Sequence, residues 1–289
     1  MPHRLYRGRF APSPSGPLHM GSLLAALASY LDAKANQGEW LVRIEDIDPP
    51  REQPGAAEAI LQCLLDHGLQ WDGEVVFQHQ RNTVYDNILA QLQQQDLLFY
   101  CTCTRAELQA HRIYPGFCRH RTLPPAQPAA WRLKSDTSVQ SWQDGLQGSQ
   151  HWSMQEVGDT IVKRKDGLYA YQLAVVVDDH LQGISHVVRG IDLLDSTPRQ
   201  LYLYQLLGWT PPVFSHIPVI LDGTGNKLSK QNHATPIRTQ DAKHNVLQCL
   251  HLLGQATPSD TSSLHAILAF AVTHWRPEAI AGQRDIALS

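Results

Sequence analysis

A chain of 289 residues can bury a sizeable core, and 43% hydrophobic against 18% charged residues is a globular rather than a disordered composition. The net charge of −3 excludes a bulk electrostatic attraction for nucleic acid, so any RNA contact has to come from local basic patches. No apolar run is long enough to span a bilayer, and Met1-Pro2-His3-Arg4 has no signal-like segment behind it, so a soluble cytoplasmic protein is expected.

Taken in order, residues 5–10 read as a strand and Leu23 to about Ala35 as a helix, stopped by Gly38. Between them lies Ala11-Pro12-Ser13-Pro14-Ser15-Gly16-Pro17-Leu18-His19-Met20-Gly21-Ser22, a stiff loop that opens into the helix. Strand, loop, helix start is an arrangement that aims backbone N–H groups and the positive end of a helix dipole at an anion. His19 can donate to a phosphoryl oxygen there, and Gly21 lets a flat ring approach the backbone. Residues 40–44 read as a second strand, which makes a parallel crossover unit. Arg9 and Glu45 then both fall at carboxyl ends of strands, where open parallel sheets bind ligands.

A helix over 55–67, a short extended piece at 75–77, a helix over 83–95 and a strand over 97–100 follow. That strand runs into Cys101-Thr102-Cys103, with Cys118 further on. Cys63 and Cys249 stand alone in apolar surroundings and read as core. Three clustered cysteines favour a metal over a disulfide, and zinc with four tetrahedral ligands leaves one place for His111, Tyr114 or His120. Arg105, Arg112, Arg119, His120 and Arg121 make this the most basic stretch of the chain, suited to phosphate contacts. Residues 122–150 read as loop and short strands. Residues 168–177 read as a strand that becomes buried, with Tyr169 and Tyr171 on one face. Asp178-Asp179-His180 is a poor metal site, since consecutive side chains diverge. Arg189 again ends a strand, residues 197–207 are a helix and 219–221 a strand. Lys227-Leu228-Ser229-Lys230 then follows a glycine-flanked turn as a cationic clamp. Residues 240–282 carry a helical pattern.

Two distant stretches, Leu18-His19-Met20-Gly21 and residues 227–231, resemble the paired nucleotide-binding motifs of class I aminoacyl-tRNA synthetases. With Arg9 to Gly21, Leu41 to Asp46 and Val187 to Gly190, the likeness is to the glutamyl-tRNA synthetases and covers about residues 5–235. Met20, Ser22, Leu228 and Gln231 depart mildly from the usual motifs. The resemblance implies an α/β fold: a Rossmann-type parallel-sheet nucleotide-binding domain in two halves (1–97 and 166–235), a zinc-containing acceptor-type insertion (98–165) and a short helical C-terminal region (236–289). It implies catalysis by His19, Lys227 and Lys230, and an ATP site of Pro12, His19, Gly21, Ser22, Lys227, Leu228, Ser229 and Lys230. The glutamate site it implies is Arg9, Ala11, Ser13, Glu45, Tyr171 and Arg189, with Arg9 and Arg189 on the carboxylates and Glu45 on the ammonium. It favours Tyr114 as the fourth ligand of a structural Zn²⁺, and Mg²⁺ is expected with ATP.

Only 59 residues follow Lys230, too few for the large anticodon-binding domain of a full glutamyl-tRNA synthetase. The resemblance is therefore to the shortened members of that family. It implies glutamate activation without cognate tRNA, transfer to the queuosine base of tRNA(Asp), docking of the anticodon stem-loop on the catalytic body, and a monomer. Two other readings compete: a small-molecule nucleotidyltransferase of the same superfamily, and a zinc- and RNA-binding module without catalysis.

Overall fold

The computed structural model describes residues 5–223, 225–228 and 235–287. The first strand, β1 (Arg7–Phe10), leads through the proline loop into α1 (Met20–Ala35) and then β2 (Glu39–Ile44). β1 and β2 pair in parallel, Gly8 opposite Trp40 and Phe10 opposite Val42. After α2 (Ala56–Asp66), β3 (Val76–Phe77) adds to the far edge of β2, also in parallel. α1 starts where it does because His19 is extended and its side chain accepts the Ser22 N–H, which satisfies one of the orphan donors of the first turn. Its inner face, with Leu23, Leu24, Leu27 and Leu31, is fully buried against Trp40, whose indole N–H reaches Ser29 Oγ at 2.9 Å.

Gly38 makes the turn back into β2. A Cβ there would stand 2.4 Å from the Tyr6 carbonyl oxygen, so Gly38→Ala is expected to cost roughly 1–3 kcal/mol, read as a lowered melting temperature.

The chain next forms α3 (Asn82–Gln94), β4 (Leu98–Cys101), the single turn α4 (Arg105–Leu108), β5 (Ala130–Leu133), the hairpin β6 (Val139–Asp144) and β7 (Gly148–Ser153), α5 (Met154–Val157) and β8 (Thr160–Lys163). β4, β5 and β8 make an antiparallel sheet, so this stretch breaks the parallel pattern on either side of it.

The parallel pattern resumes after α6 (Tyr171–Leu181) with β9 (His186–Gly190), α7 (Thr197–Leu207) and β10 (Val213–Ile217), β9 and β10 pairing in parallel. Ser185 ties β9 to the free edge of β1: its N–H donates to the Arg7 carbonyl at 2.9 Å, and the Arg7 N–H donates to its Oγ at 2.8 Å. β11 (Val219–Leu221), α8 (Ala242–Leu252), α9 (Leu264–Thr273) and β12 (Asp285–Ala287) complete the described chain, α8 and α9 closing the core over α1.

One expectation is corrected. Residues 168–177 were expected as a strand, but α6 begins at Tyr171, where the Leu173 and Ala174 N–H groups bond to the Ala170 carbonyl. Leu173 to Val177 are all buried, packed with residues of α3 and α7. A helix covered on every side shows no amphipathic period, and its short apolar run looks like a buried strand. Tyr169 and Tyr171 therefore do not share a strand face.

Candidate active site

The carboxyl ends of β1, β2 and β9 open into a cavity of about 580 Å³. Arg9, Ala11, Ser13, Glu45, Tyr171 and Arg189, drawn from four separate stretches of chain, all line it. Behind them lies a buried charge network. The Arg9 guanidinium grips Asp179 with two bonds, Nε to Oδ1 at 3.2 Å and one NH2 to Oδ2 at 3.3 Å. Arg43, wholly buried in β2, reaches Asp179 at 2.8 Å and Glu45 at 3.3 Å. Asp178 takes Arg81 at 2.6 Å, Gln78 at 2.7 Å and Tyr85 at 2.7 Å. Burial would raise the Asp179 carboxyl, but the Arg9 and Arg43 charges outweigh it and hold it below the usual carboxylate range. Glu45 goes the other way: burial pushes its carboxyl up, against only partial relief from Arg43 and Arg9.

Arg189 stands apart. It is 4% exposed, yet among the described residues it makes no ion pair. Its partners are neutral: His216 Nε2 at 3.1 Å, Thr197 Oγ1 at 2.8 Å, the Leu193 carbonyl at 3.4 Å and the Tyr171 hydroxyl at 3.5 Å, with the Phe214 ring 4.9 Å beneath it. Among the described residues Arg9, Arg43 and Arg81 each pair with a carboxylate of Glu45, Asp178 or Asp179, whereas Arg189 pairs with none. A buried, uncompensated cation is costly, and an anionic ligand relieves that cost.

A second cavity of about 190 Å³ adjoins the first, the two sharing Ala25 and Gly190. His19, Gly21, Ser22, Lys227 and Leu228 line it, so the two motifs that lie some 200 residues apart meet there. The His19 ring is held by Ser22, whose N–H donates to Nδ1 at 3.3 Å and whose Oγ lies 3.0 Å from Nε2. A Cβ on Gly21 would crowd that ring at 3.3 Å and stand at ordinary contact distance, 3.7 Å, from the Leu228 carbonyl. Lys227 Nζ is 2.6 Å from Asp192 Oδ2. Pro12 is buried and lines neither cavity; its carbonyl accepts the Glu45 N–H at 2.9 Å. Ser229 and Lys230 lie outside the described residues.

The sulfurs of Cys101, Cys103 and Cys118 lie within 4.8 Å of one another. The Tyr114 oxygen is 3.4 Å from the first and 3.7 Å from the second, and accepts the Cys118 N–H at 2.9 Å. Arg132 covers its ring at 4.0 Å. His120 is exposed, and so is His111, which packs edge-on against Phe117. Three thiols and a phenol converging on one point suit a tetrahedral ion that prefers sulfur.

A family model described as tRNA synthetases class I (E and Q), catalytic domain, matches residues 6–264. The chain belongs to this family. The synthetase is 51% identical over 286 residues to a Glutamyl-Q tRNA(Asp) synthetase of Pseudomonas putida, covering 97% of this chain and 95% of that protein. It is 52% identical over 279 residues to the protein of that name from Pectobacterium atrosepticum, covering 94% and 85%. A crystal structure of a glutamate tRNA ligase from Elizabethkingia meningosepticum, in complex with its amino acid, superposes with a TM-score of 0.83 at 26% identity, over 98% of this chain and 67% of that one.

Sequence reasoning missed several residues that stand behind this synthetase's cavity wall: Arg43, Thr197, Asp144 and His216. One signal was available. Two aspartates ending an otherwise apolar helix have to be paired when that helix is buried, and arginine at a strand position is the natural partner. Nothing local marks Asp144 or His216.

Proposed function

We propose that this synthetase activates L-glutamate with ATP and transfers it to the queuosine base in the anticodon of tRNA(Asp), the larger cavity taking the amino acid and the smaller one the nucleotide. The observation that carries the reading is Arg189, a buried guanidinium with no carboxylate of its own in a cavity that opens onto the His19 motif. Arg189 takes a carboxylate, Glu45 the ammonium, and Tyr171 and Ser13 supply neutral hydrogen bonds, with Ala11 and Arg9 lining the same cavity. The binding of the ammonium also relieves the Glu45 charge that burial disfavours.

In the first step a carboxylate oxygen of glutamate bonds to the α-phosphorus of ATP, and the bond to the bridging oxygen breaks to release pyrophosphate. His19, Lys227 and Lys230 donate to the phosphoryl oxygens as their charge rises, while Gly21 makes room for the adenine and Pro12, Ser22, Leu228 and Ser229 complete the ATP site. Mg²⁺, held largely by ATP and water, adds charge compensation on the phosphates. In the second step a hydroxyl of the modified base attacks the acyl carbon, and AMP leaves. Residues 1–97 and 166–235 act as two halves of the nucleotide fold. The 98–165 insertion, with Zn²⁺ on Cys101, Cys103, Cys118 and Tyr114, presents the basic residues to RNA, and 236–289 is a helical region. We take the enzyme to be a cytoplasmic monomer.

ATP–pyrophosphate exchange with glutamate, without tRNA, tests the first step, and labelling of queuosine-containing against queuosine-free tRNA(Asp) tests the second. Exchange is expected without tRNA, with transfer to the modified tRNA alone. His19→Ala is expected to lower the exchange rate about 10²–10³-fold, the effect of removing one preorganised donor. No exchange with glutamate, or equal labelling of both tRNAs, overturns the reading.

A further inference from the structure

Arg189 is anchored by a buried chain of hydrogen bonds that begins in the β6–β7 hairpin, where it meets β10. Asp144, the last residue of β6, is 1% exposed. Its Oδ1 accepts the N–H groups of Leu146 at 3.1 Å, Gln147 at 3.0 Å and His216 at 3.1 Å. Its Oδ2 lies 2.5 Å from Nδ1 of His216, which is wholly buried in β10. His216 Nε2 in turn lies 3.1 Å from Arg189 Nε, and 3.1 Å from the Thr197 hydroxyl. The Nε of arginine only donates, so His216 Nε2 has to be bare, and the imidazole proton sits on Nδ1 toward the Asp144 carboxylate.

We infer that Asp144 and His216 are positioning residues for amino-acid recognition: they hold the Arg189 guanidinium in place while keeping their own negative charge one imidazole away from it. The inference rests on the assignment of Arg189 to a glutamate carboxylate. Direct contact with an aspartate, as at Arg9, fixes an arginine but also neutralises it. Here Nε is tied to a neutral acceptor and one terminal nitrogen to Thr197 Oγ1. The other terminal nitrogen has a single long contact, 3.5 Å to Tyr171, and faces the cavity with the charge intact. Burial pushes the His216 imidazole below its ordinary pKa, Arg189 adds to that, and Asp144 and the more distant Asp192 oppose it, so the ring stays neutral beside the guanidinium.

Asp144→Asn separates this role from a purely structural one. Asparagine keeps an oxygen for the three backbone N–H groups but turns an NH₂ toward Nδ1. The imidazole proton moves to Nε2, where it meets the Arg189 N–H head-on. In ATP–pyrophosphate exchange, D144N and H216A are each expected to raise the KM for glutamate about 10-fold or more, leaving the KM for ATP within about two-fold, by loss of a hydrogen bond to a charged group. H216Q, whose amide oxygen can take the place of Nε2, is expected to recover most of the loss. The double variant D144N/H216A should be no worse than H216A, because Asp144 acts through the ring. A D144N protein with a normal melting curve and an unchanged glutamate KM overturns the inference, as does an equal rise in both KM values. Arg189→Ala tests the underlying assignment by itself: an unchanged glutamate KM in that variant overturns the assignment, whereas an unchanged glutamate KM in D144N with a raised one in Arg189→Ala overturns only the chain.

Discussion

Alanine in place of Arg189 is expected to lower kcat/KM for glutamate in ATP–pyrophosphate exchange roughly 10²–10³-fold, about 3–4 kcal/mol, the loss from truncating one partner of a buried charge pair. The size follows from the environment. The guanidinium is buried, its partners in the protein are neutral, and the ligand carboxylate is the only anion assigned to it. Removing it leaves no stranded carboxylate behind, so the fold should tolerate the change, and the KM for ATP should hold. Lysine is not expected to rescue: a single ammonium cannot reach His216, Thr197 and the substrate at once. Circular dichroism melting together with separate KM values for glutamate and ATP decides the matter. A variant that keeps wild-type glutamate KM would remove Arg189 from the pocket and with it the argument from uncompensated charge.

Serine in place of Cys118 is expected to remove bound zinc, from about one ion per chain to almost none by atomic absorption, with a clear fall in melting temperature. Structural zinc sites carry about 10–16 kcal/mol of binding free energy in isolated zinc-finger peptides. The effect here should be smaller, since β4, β5 and β8 still pair without the ion, but it should fall on one region. The sulfur cluster has its own small core, Phe99, Cys101 and Cys118, separate from the residues around α1. Glutamate activation should therefore fall by about three-fold at most, while transfer to tRNA falls about 10-fold or more, within the range seen when metal sites are disturbed. A purified protein with no zinc and an unaltered melting curve would leave the three thiols as a reduced cluster.

The parts of the site legible in the sequence were those set by local pattern. The proline loop and helix start place His19 and Gly21, and strand ends place Arg9, Glu45 and Arg189, because strand termini of a parallel sheet converge whatever the intervening chain does. Cys-x-Cys, Tyr114 and Cys118 follow from spacing and resemblance together. What stayed hidden depends on packing. α6 lost its helical signature because Leu173 to Val177 are covered on every side. Arg43 sits within an apolar strand, and only packing shows it to be the hub for Glu45 and Asp179. Asp144 meets His216 across 72 positions, and that pairing depends on the hairpin reaching β10, where the Gly145 N–H bonds to the Phe214 carbonyl at 2.8 Å.

The span of the Arg9–Asp179 bond has a consequence for biosynthesis. Arg9 leaves the ribosome 170 positions ahead of the carboxylate that neutralises it, and β1 leaves about as far ahead of Ser185, which secures its second edge. At about 5–20 residues per second the N-terminal strand waits roughly 10–35 seconds for those partners. During that interval it exposes an unpaired edge to other nascent chains, and slow codons between the two would lengthen the exposure. The larger cavity is thus a late product of translation, and no N-terminal fragment ending before β10 should form it.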